Sequence, residues 1–173
     1  MDPVEKAKDE MGAVEKMVTG LPGIGGYREK EMRRDADKQV RENLARLLEP
    51  RRNKLTRLQN DLVAAGGLEW VDDLERVVSS LQLFIDRVKT ASYGYAPLFA
   101  LNKVKEDDLD RLASFDQDLY NKVPPFDEAI SKLEQAVSAN DGLKDALRAV
   151  NATVSDMNET FNRRADVIQN ANA

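Results

Sequence analysis

Residues 68–91, LEWVDDLERVVSSLQLFIDRVKTA, are the stretch of this chain that decides its fold. Apolar side chains recur there in steps of three and four, and a second apolar row repeats every seven residues. The first row is Val71, Leu74, Val78, Leu81, Ile85 and Val88, and the second is Trp70, Val77, Phe84 and Ala91. Together the rows form a helix face wider than the seam of a two-stranded coiled coil. We therefore expect other helices to cover this helix on two sides.

The composition is that of a globular helical domain that lacks the residues most active sites need. The 173 residues can bury a core without cross-links, and 42% hydrophobic against 33% charged residues is typical of folded proteins. Cysteine and histidine are both absent, which excludes disulfides, the usual zinc sites and nucleophiles activated by histidine. Neighbouring acids such as Asp72 and Asp73 lie on polar helix faces. We predict no catalytic residue, no metal and no cofactor, and so a protein that is not an enzyme.

The start of the chain, MDPVEKAKDE, contains no apolar signal segment, and no run reaches the 18 apolar residues of a membrane span. These features predict a cytoplasmic protein, with peripheral association with a membrane as the alternative.

Charge is distributed unevenly along the chain, whose net charge is −5. Residues 27–60 carry eleven basic and six acidic side chains, whereas residues 61–173 carry twelve basic and twenty acidic ones. The acidic remainder argues against a nucleic-acid-binding protein. The basic stretch is a candidate contact for an anionic surface such as a membrane, or one bundle helix facing acidic neighbours. Its candidate residues are Arg28, Arg33, Arg34, Arg41, Arg51 and Arg52.

A short amphipathic helix is predicted over residues 1–19, ahead of a hinge. Asp2 and Pro3 suit its first turn, and Gly20–Gly26, GLPGIGG, cannot continue it. The predicted helix either docks on its own bundle, pairs with another copy, or binds a partner or a membrane. The candidate partner-binding residues on its apolar face are Val4, Met11, Val14 and Val18.

A second candidate partner site follows the central helix, in SYGYAPLFALN, residues 92–102. Large apolar side chains in such a segment either plug the end of the bundle or form an aromatic contact patch. The residues concerned are Tyr93, Tyr95, Leu98 and Phe99.

Four helices are predicted within a bundle that spans residues 27–170. They cover about 27–65, 68–92, 105–139 and 143–169. Pro50 is expected to kink the first of them, while Arg51 occupies an apolar position. Pro124 and Pro125 kink the third helix or divide it. The predicted fold is all-α: an elongated antiparallel four-helix bundle with coiled-coil-like packing, preceded by the short hinged helix.

Several stretches resemble a group of short bacterial all-helical proteins of unknown function. The resemblance rests on GYREKEMRRDADKQVRENLARLLE, DDLERVVSSLQLFIDRVKTASYGYAPLF, DDLDRLASFDQDL and FNRRADVI, which lie within about residues 20–120 and 161–168. It implies a bacterial origin and a helical fold, and no particular activity. The double proline, Pro124 and Pro125, departs from the pattern of this group.

Two functional hypotheses follow from the sequence. The first is a non-enzymatic scaffold or adaptor that binds a protein partner, or another copy of itself, through the first helix, the aromatic segment or both. The second is a peripheral membrane protein whose first helix and basic face contact anionic lipid, with binding that depends on salt.

Overall fold

The structure, a computed structural model, describes residues 26–91 and 106–170, with side chains described for 38–91 and 114–166. These ranges are helical and contain no strand. The elements are α1 (Gly26–Ala64), a short 3₁₀ turn (Leu68–Trp70), α2 (Val71–Thr90), α3 (Glu106–Asn121), α4 (Val123–Ala139) and α5 (Leu143–Asn170). The predicted all-α class is confirmed. The predicted helix at 1–19 and residues 20–25 of its hinge lie outside the described residues.

Helix α1 runs through Pro50 as a single helix of 39 residues, about 58 Å at 1.5 Å per residue. Apolar residues on both sides of the proline are buried, among them Leu48 and Leu55. Proline removes one backbone donor, but burial of the same helix face continues past it. Apolar packing on that face therefore outweighs the loss of one backbone hydrogen bond at Pro50.

Two glycines end α1 and turn the chain into α2. The Gly67 N–H donates to the Leu62 carbonyl at 2.9 Å, and the Gly66 N–H donates to the Val63 carbonyl at 3.1 Å. Gly66 has φ +82°. This pair of bonds around a left-handed residue is the Schellman motif, in which glycine avoids the strain of a Cβ atom. The turn makes α1 and α2 an antiparallel hairpin.

A single residue, Lys122, separates α3 from α4, so the two helices form one interrupted rod. The Lys122 N–H donates to the Leu119 carbonyl, and the Phe126 N–H donates to the Lys122 carbonyl, both at 3.2 Å. Pro124 and Pro125 lie in the first turn of α4, where backbone donors have no partner within the helix. The two prolines thus begin a new helix at the joint.

The four rods enclose one core. Helix α1 packs against α2 and α4, and α5 packs against α2, α3 and α4. Contacts join Val40 with Tyr120 and Lys54 with Glu134, in rising order on both rods, so α1 runs parallel to α3 and α4. Consecutive rods run antiparallel, as predicted. The bundle is confirmed, while coiled-coil-like packing stays a prediction.

Helix α2 is covered on two sides, as its two apolar rows predict. Leu74, Leu81 and Ile85 of its first row are fully buried. Phe84 of the second row contacts Phe161 of α5 edge to face, with ring centroids 5.8 Å apart. Arg87 stacks over the same Phe161 ring at 5.4 Å from its centroid. Contacts with both α1 and α5 therefore hold α2 in the bundle.

We expect replacing Leu81 with alanine to lower the free energy of unfolding by about 3 kcal/mol, because the substitution leaves a cavity in the core. Leu81 is 0% exposed, whereas Leu83, on the same helix, is 60% exposed. Leu83→Ala should therefore change stability by no more than about 0.5 kcal/mol. Urea unfolding of both variants measures the difference, and equal losses would contradict this description of the core.

Candidate functional site

The best candidate for a functional site is the end of the bundle at which α2 stops. Arg41 of α1 is 3% exposed. Its Nη1 donates to the carbonyl oxygens of Val88 and Lys89, at 3.0 and 3.3 Å. These carbonyls belong to the last turn of α2, where backbone acceptors lack helical partners and the helix dipole favours a cation. Arg41 therefore lies at the level at which α2 ends.

Three helices continue beyond that level. The first 15 residues of α1, 26–40, which we call the α1 arm, precede Arg41 and extend about 22 Å. The Tyr120 hydroxyl of α3 donates to the Val40 carbonyl at 2.8 Å, so α3 and α1 are level there, and the residues of α3 before Tyr120 extend in the same direction as the arm. Helix α5 continues eight residues past Asn162, which accepts a hydrogen bond from Arg87, whereas α2 continues only three residues past Arg87. We call this part the three-helix end.

The exposure of α1 side chains changes at the level at which α2 ends. Ala45 is 1% exposed and lies one helical turn after Arg41, whose side chain contacts α2, so Ala45 is on the α2 side of α1. Lys38 occupies the equivalent position seven residues earlier, and its side chain is 63% exposed. Lys38 contacts Glu42 on its own helix at 3.8 Å. Between Ala45 and Lys38, one side of α1 thus changes from buried to open.

Within the three-helix end, a buried ion pair joins α3 to α5. Arg164 is 1% exposed. Its Nε donates to Asp116 Oδ1 at 2.6 Å, and its Nη2 donates to Asp116 Oδ2 at 3.2 Å. Such two-point pairing compensates for the removal of both charges from water and fixes their relative position. The pair therefore sets the alignment of α3 with α5.

A second paired arginine, Arg51, lies in the four-helix part of the bundle, at a position where the α1 pattern calls for an apolar residue. Its Nε and Nη2 donate to the two carboxylate oxygens of Asp127 in α4, at 2.7 and 2.5 Å. Its Nη1 donates to the Leu47 carbonyl. The side chain is 18% exposed and that of Asp127 is 45% exposed. Arg51 thus joins α1 to α4.

The predicted anionic-surface residues do not form one surface. Arg41 and Arg51 are engaged inside the protein, so neither guanidinium is available to a flat anionic surface. Arg52 is half-buried, and its Nε is the one buried side-chain nitrogen without a hydrogen-bond partner in the part of the chain whose side chains are described. Arg28, Arg33 and Arg34 lie on the α1 arm, and their side chains are outside the described residues.

The predicted partner-binding residues lie outside the described residues. They are Val4, Met11, Val14, Val18, Tyr93, Tyr95, Leu98 and Phe99. The described helix ends next to these segments nevertheless show where the segments join the bundle. Residue 25 precedes the first residue of α1, and residues 92–105 connect α2 to α3. All three helix ends lie at the three-helix end, so both candidate segments attach there.

A shallow polar groove lies beside the joint of α3 and α4, apart from the three-helix end. It is lined by Asp118, Asn121, Lys122, Pro125, Ala152, Thr153 and Asp156. Lys122 Nζ lies 2.5 Å from Asp156 Oδ2, so the lysine charge is paired. Across the described ranges, no group of three acidic side chains is arranged to hold a metal ion. None of the described helices is long and apolar enough to cross a membrane.

The internal positions of Arg41 and Arg164 were not predicted from the sequence, in which Arg41 is a candidate anionic-surface residue. A signal was present for Arg164, because Phe161, Arg164 and Ile168 follow the three-four spacing of an apolar row. An arginine in such a row indicates a buried pair, and Asp116 is the partner that only the fold identifies.

Comparison of the chain with protein-family models, curated protein sequences and solved structures gives no match. The resemblance to bacterial helical proteins therefore stays a prediction.

We expect Asp116→Ala to destabilise the protein by roughly 3 kcal/mol, because Arg164 would lose its two-point acceptor in a buried site. Glu134→Ala is the matched control. It removes the Lys54–Glu134 pair, whose side chains are 35% and 50% exposed, and should cost less than about 1 kcal/mol.

The double variant Asp116→Leu with Arg164→Met should recover much of the loss, because an apolar pair needs no compensation for buried charge. Thermal and urea unfolding measure all three variants. Equal, small effects of Asp116→Ala and Glu134→Ala would contradict the role given to the buried pair.

Proposed function

We propose that the protein is a non-enzymatic scaffold or adaptor that binds a protein partner, or a second copy of itself, at the three-helix end. One observation carries the proposal. Helix α2 stops at the level of Arg41 while the α1 arm continues, so that Lys38 is open at a position where Ala45 is covered. At Lys38, this side of α1 is thus left without a neighbour among the other described helices.

Two further features favour this end over the sides of the bundle. The first is attachment: both segments that the sequence marks as candidate contacts, residues 1–19 and 92–102, join the body here. The second is that the sides of the bundle carry no contiguous apolar patch in the described part. Its exposed large apolar side chains are Val63, Leu68 and Leu83. Leu83 stands alone on α2, and single exposed apolar residues are normal in soluble proteins.

Site-specific photo-crosslinking in cells tests the proposal. Benzoylphenylalanine is placed at Tyr93 or Tyr95 of the full chain, where it preserves an aromatic ring, and at Leu83 as an exposed control. We expect one adduct of defined mass from Tyr93 or Tyr95 and none from Leu83, since the contact lies at the three-helix end. The protein identified in the adduct should also bind the purified chain. Adducts of equal yield at all three positions, or none at any, would count against the proposal.

Sedimentation with anionic vesicles tests the membrane alternative. Because Arg41 and Arg51 are engaged internally, we expect no salt-sensitive pelleting of the full chain at low or high salt, and none of a chain starting at Tyr27. Pelleting that falls with salt and weakens in the shorter chain would instead make the first helix a lipid anchor.

A further inference from the structure

We infer that Arg87, together with Asn158 and Asn162, forms a binding site for the phosphate or carboxylate group of a small ligand. The site lies where α2 faces α5, three residues before α2 ends at Thr90. This inference goes beyond the proposed function and does not depend on it.

Neutral groups hold the guanidinium of Arg87 in place. Its Nη1 donates to Asn158 Oδ1 at 3.2 Å, and its Nη2 donates to Asn162 Oδ1 at 2.6 Å. The guanidinium also lies over the Phe161 ring, 5.4 Å from the ring centroid. Phe161 is itself buried and packs edge to face against Phe84. Two acceptors on successive turns of α5 and one fixed ring therefore set the position of the Arg87 guanidinium.

The positive charge of Arg87 has no acidic partner. Among the described residues, the two asparagine bonds are its hydrogen bonds, and it forms no ion pair. The adjacent Asp86 instead accepts a hydrogen bond from Gln82 at 2.9 Å. Four other arginines with described side chains each pair with an aspartate; they are Arg51, Arg76, Arg148 and Arg164. Arg87 thus holds a fixed charge that no carboxylate of the described part balances.

Several donors of this site remain available. A guanidinium has five N–H groups, and Arg87 uses two of them for the asparagines. Its Nε is accessible to solvent, since Arg52 Nε is the one buried side-chain nitrogen without a partner in the described part. Asn162 is exposed, and its amide nitrogen adds a donor next to the guanidinium. Available N–H groups around a fixed positive charge favour an oxyanion as the ligand.

The fixed position of Arg87 distinguishes it from other unpaired arginines. The planar guanidinium binds two oxygens of a phosphate or carboxylate at once, and a side chain that is already ordered loses less freedom on binding. Arg57 of α1 is exposed and has neither an ion pair nor a hydrogen bond from its side chain among the described residues. We therefore expect Arg87 to bind an oxyanion in preference to Arg57.

Nuclear magnetic resonance of the arginine side chains in the full chain tests the inference. Inorganic phosphate is the probe, exchanged for chloride at constant pH and ionic strength. The Nε–H signal of Arg87, identified by its loss in Arg87→Lys, should shift and saturate, whereas the Arg57 signal should not saturate. Equal, unsaturated shifts of both signals would overturn the inference, because they would show only a general effect of the ions.

Substitutions test the geometry of the site. Arg87→Lys keeps the charge but loses the planar donors, so phosphate binding, followed at the Asn162 amide, should weaken at least about tenfold. Asn162→Ala removes an acceptor that fixes the guanidinium, and it should weaken binding at the Arg87 signal. Because Asn162 is exposed, this variant should unfold at the same temperature as the parent chain. Arg57→Lys is the matched control and should leave binding unchanged. Undiminished binding by both Arg87→Lys and Asn162→Ala would overturn the inference.

Crosslinking separates a small ligand from a partner protein as the source of the oxyanion. Leu83 lies one helical turn from Arg87 on α2, and the proposed function expects no adduct from benzoylphenylalanine at Leu83. An adduct at Leu83 that disappears in Arg87→Lys would assign the oxyanion to a partner protein and overturn the assignment to a small ligand. If Tyr93 and Tyr95 give no adduct either, the proposed function fails, while saturation of the Arg87 signal by phosphate still supports the oxyanion site.

Discussion

Apolar contact between α1 and α2 is the constraint on which the rest of the structure depends. From Ala45 to Leu62, α1 carries a continuous row of buried apolar side chains and packs against α2. The hairpin at Gly66 and Gly67 sets the register of the pair. On this side of α1, the residues before Ala45 include the basic Arg41 and Lys38. The Arg41 side chain donates to the last carbonyls of α2 and so caps that helix. A longer α2 would cover Lys38, whose side chain is exposed, and removing its charge from water opposes this. The four-helix body therefore ends where the chemistry of α1 changes.

Paired arginines give the bundle its alignment. Arg51 with Asp127 joins α1 to α4, and Arg164 with Asp116 joins α3 to α5. Apolar contacts are non-directional and tolerate small shifts of one helix along another. A buried two-point ion pair does not tolerate them, because a shift would leave a charge without its acceptor. The more exposed pairs, such as Lys54 with Glu134, contribute much less, since water screens them.

The body and the three-helix end consequently have different properties. In the body, the apolar residues of α1, α2, α4 and α5 share one buried core, and Arg51 is engaged with Asp127. At the end, Lys38 is open and the two candidate contact segments join the described helices. A closed body with one incomplete end suits a protein that presents a contact surface on a rigid support.

The sequence by itself determined the class of fold, the apolar faces and the turns. Local patterns suffice for these, because helical periodicity and the glycine or asparagine that ends a helix are properties of neighbouring residues. The two rows between Leu68 and Ala91 predicted that α2 is covered on two sides. By contrast, only the tertiary structure decided that α1 lies beside α4, that Arg164 pairs with Asp116, and that α2 ends level with Arg41. These facts depend on which residues, 40 to 80 positions apart, come to the same level of the bundle. Periodicity carries no information about that level, because the apolar rows alone permit several alignments of the rods.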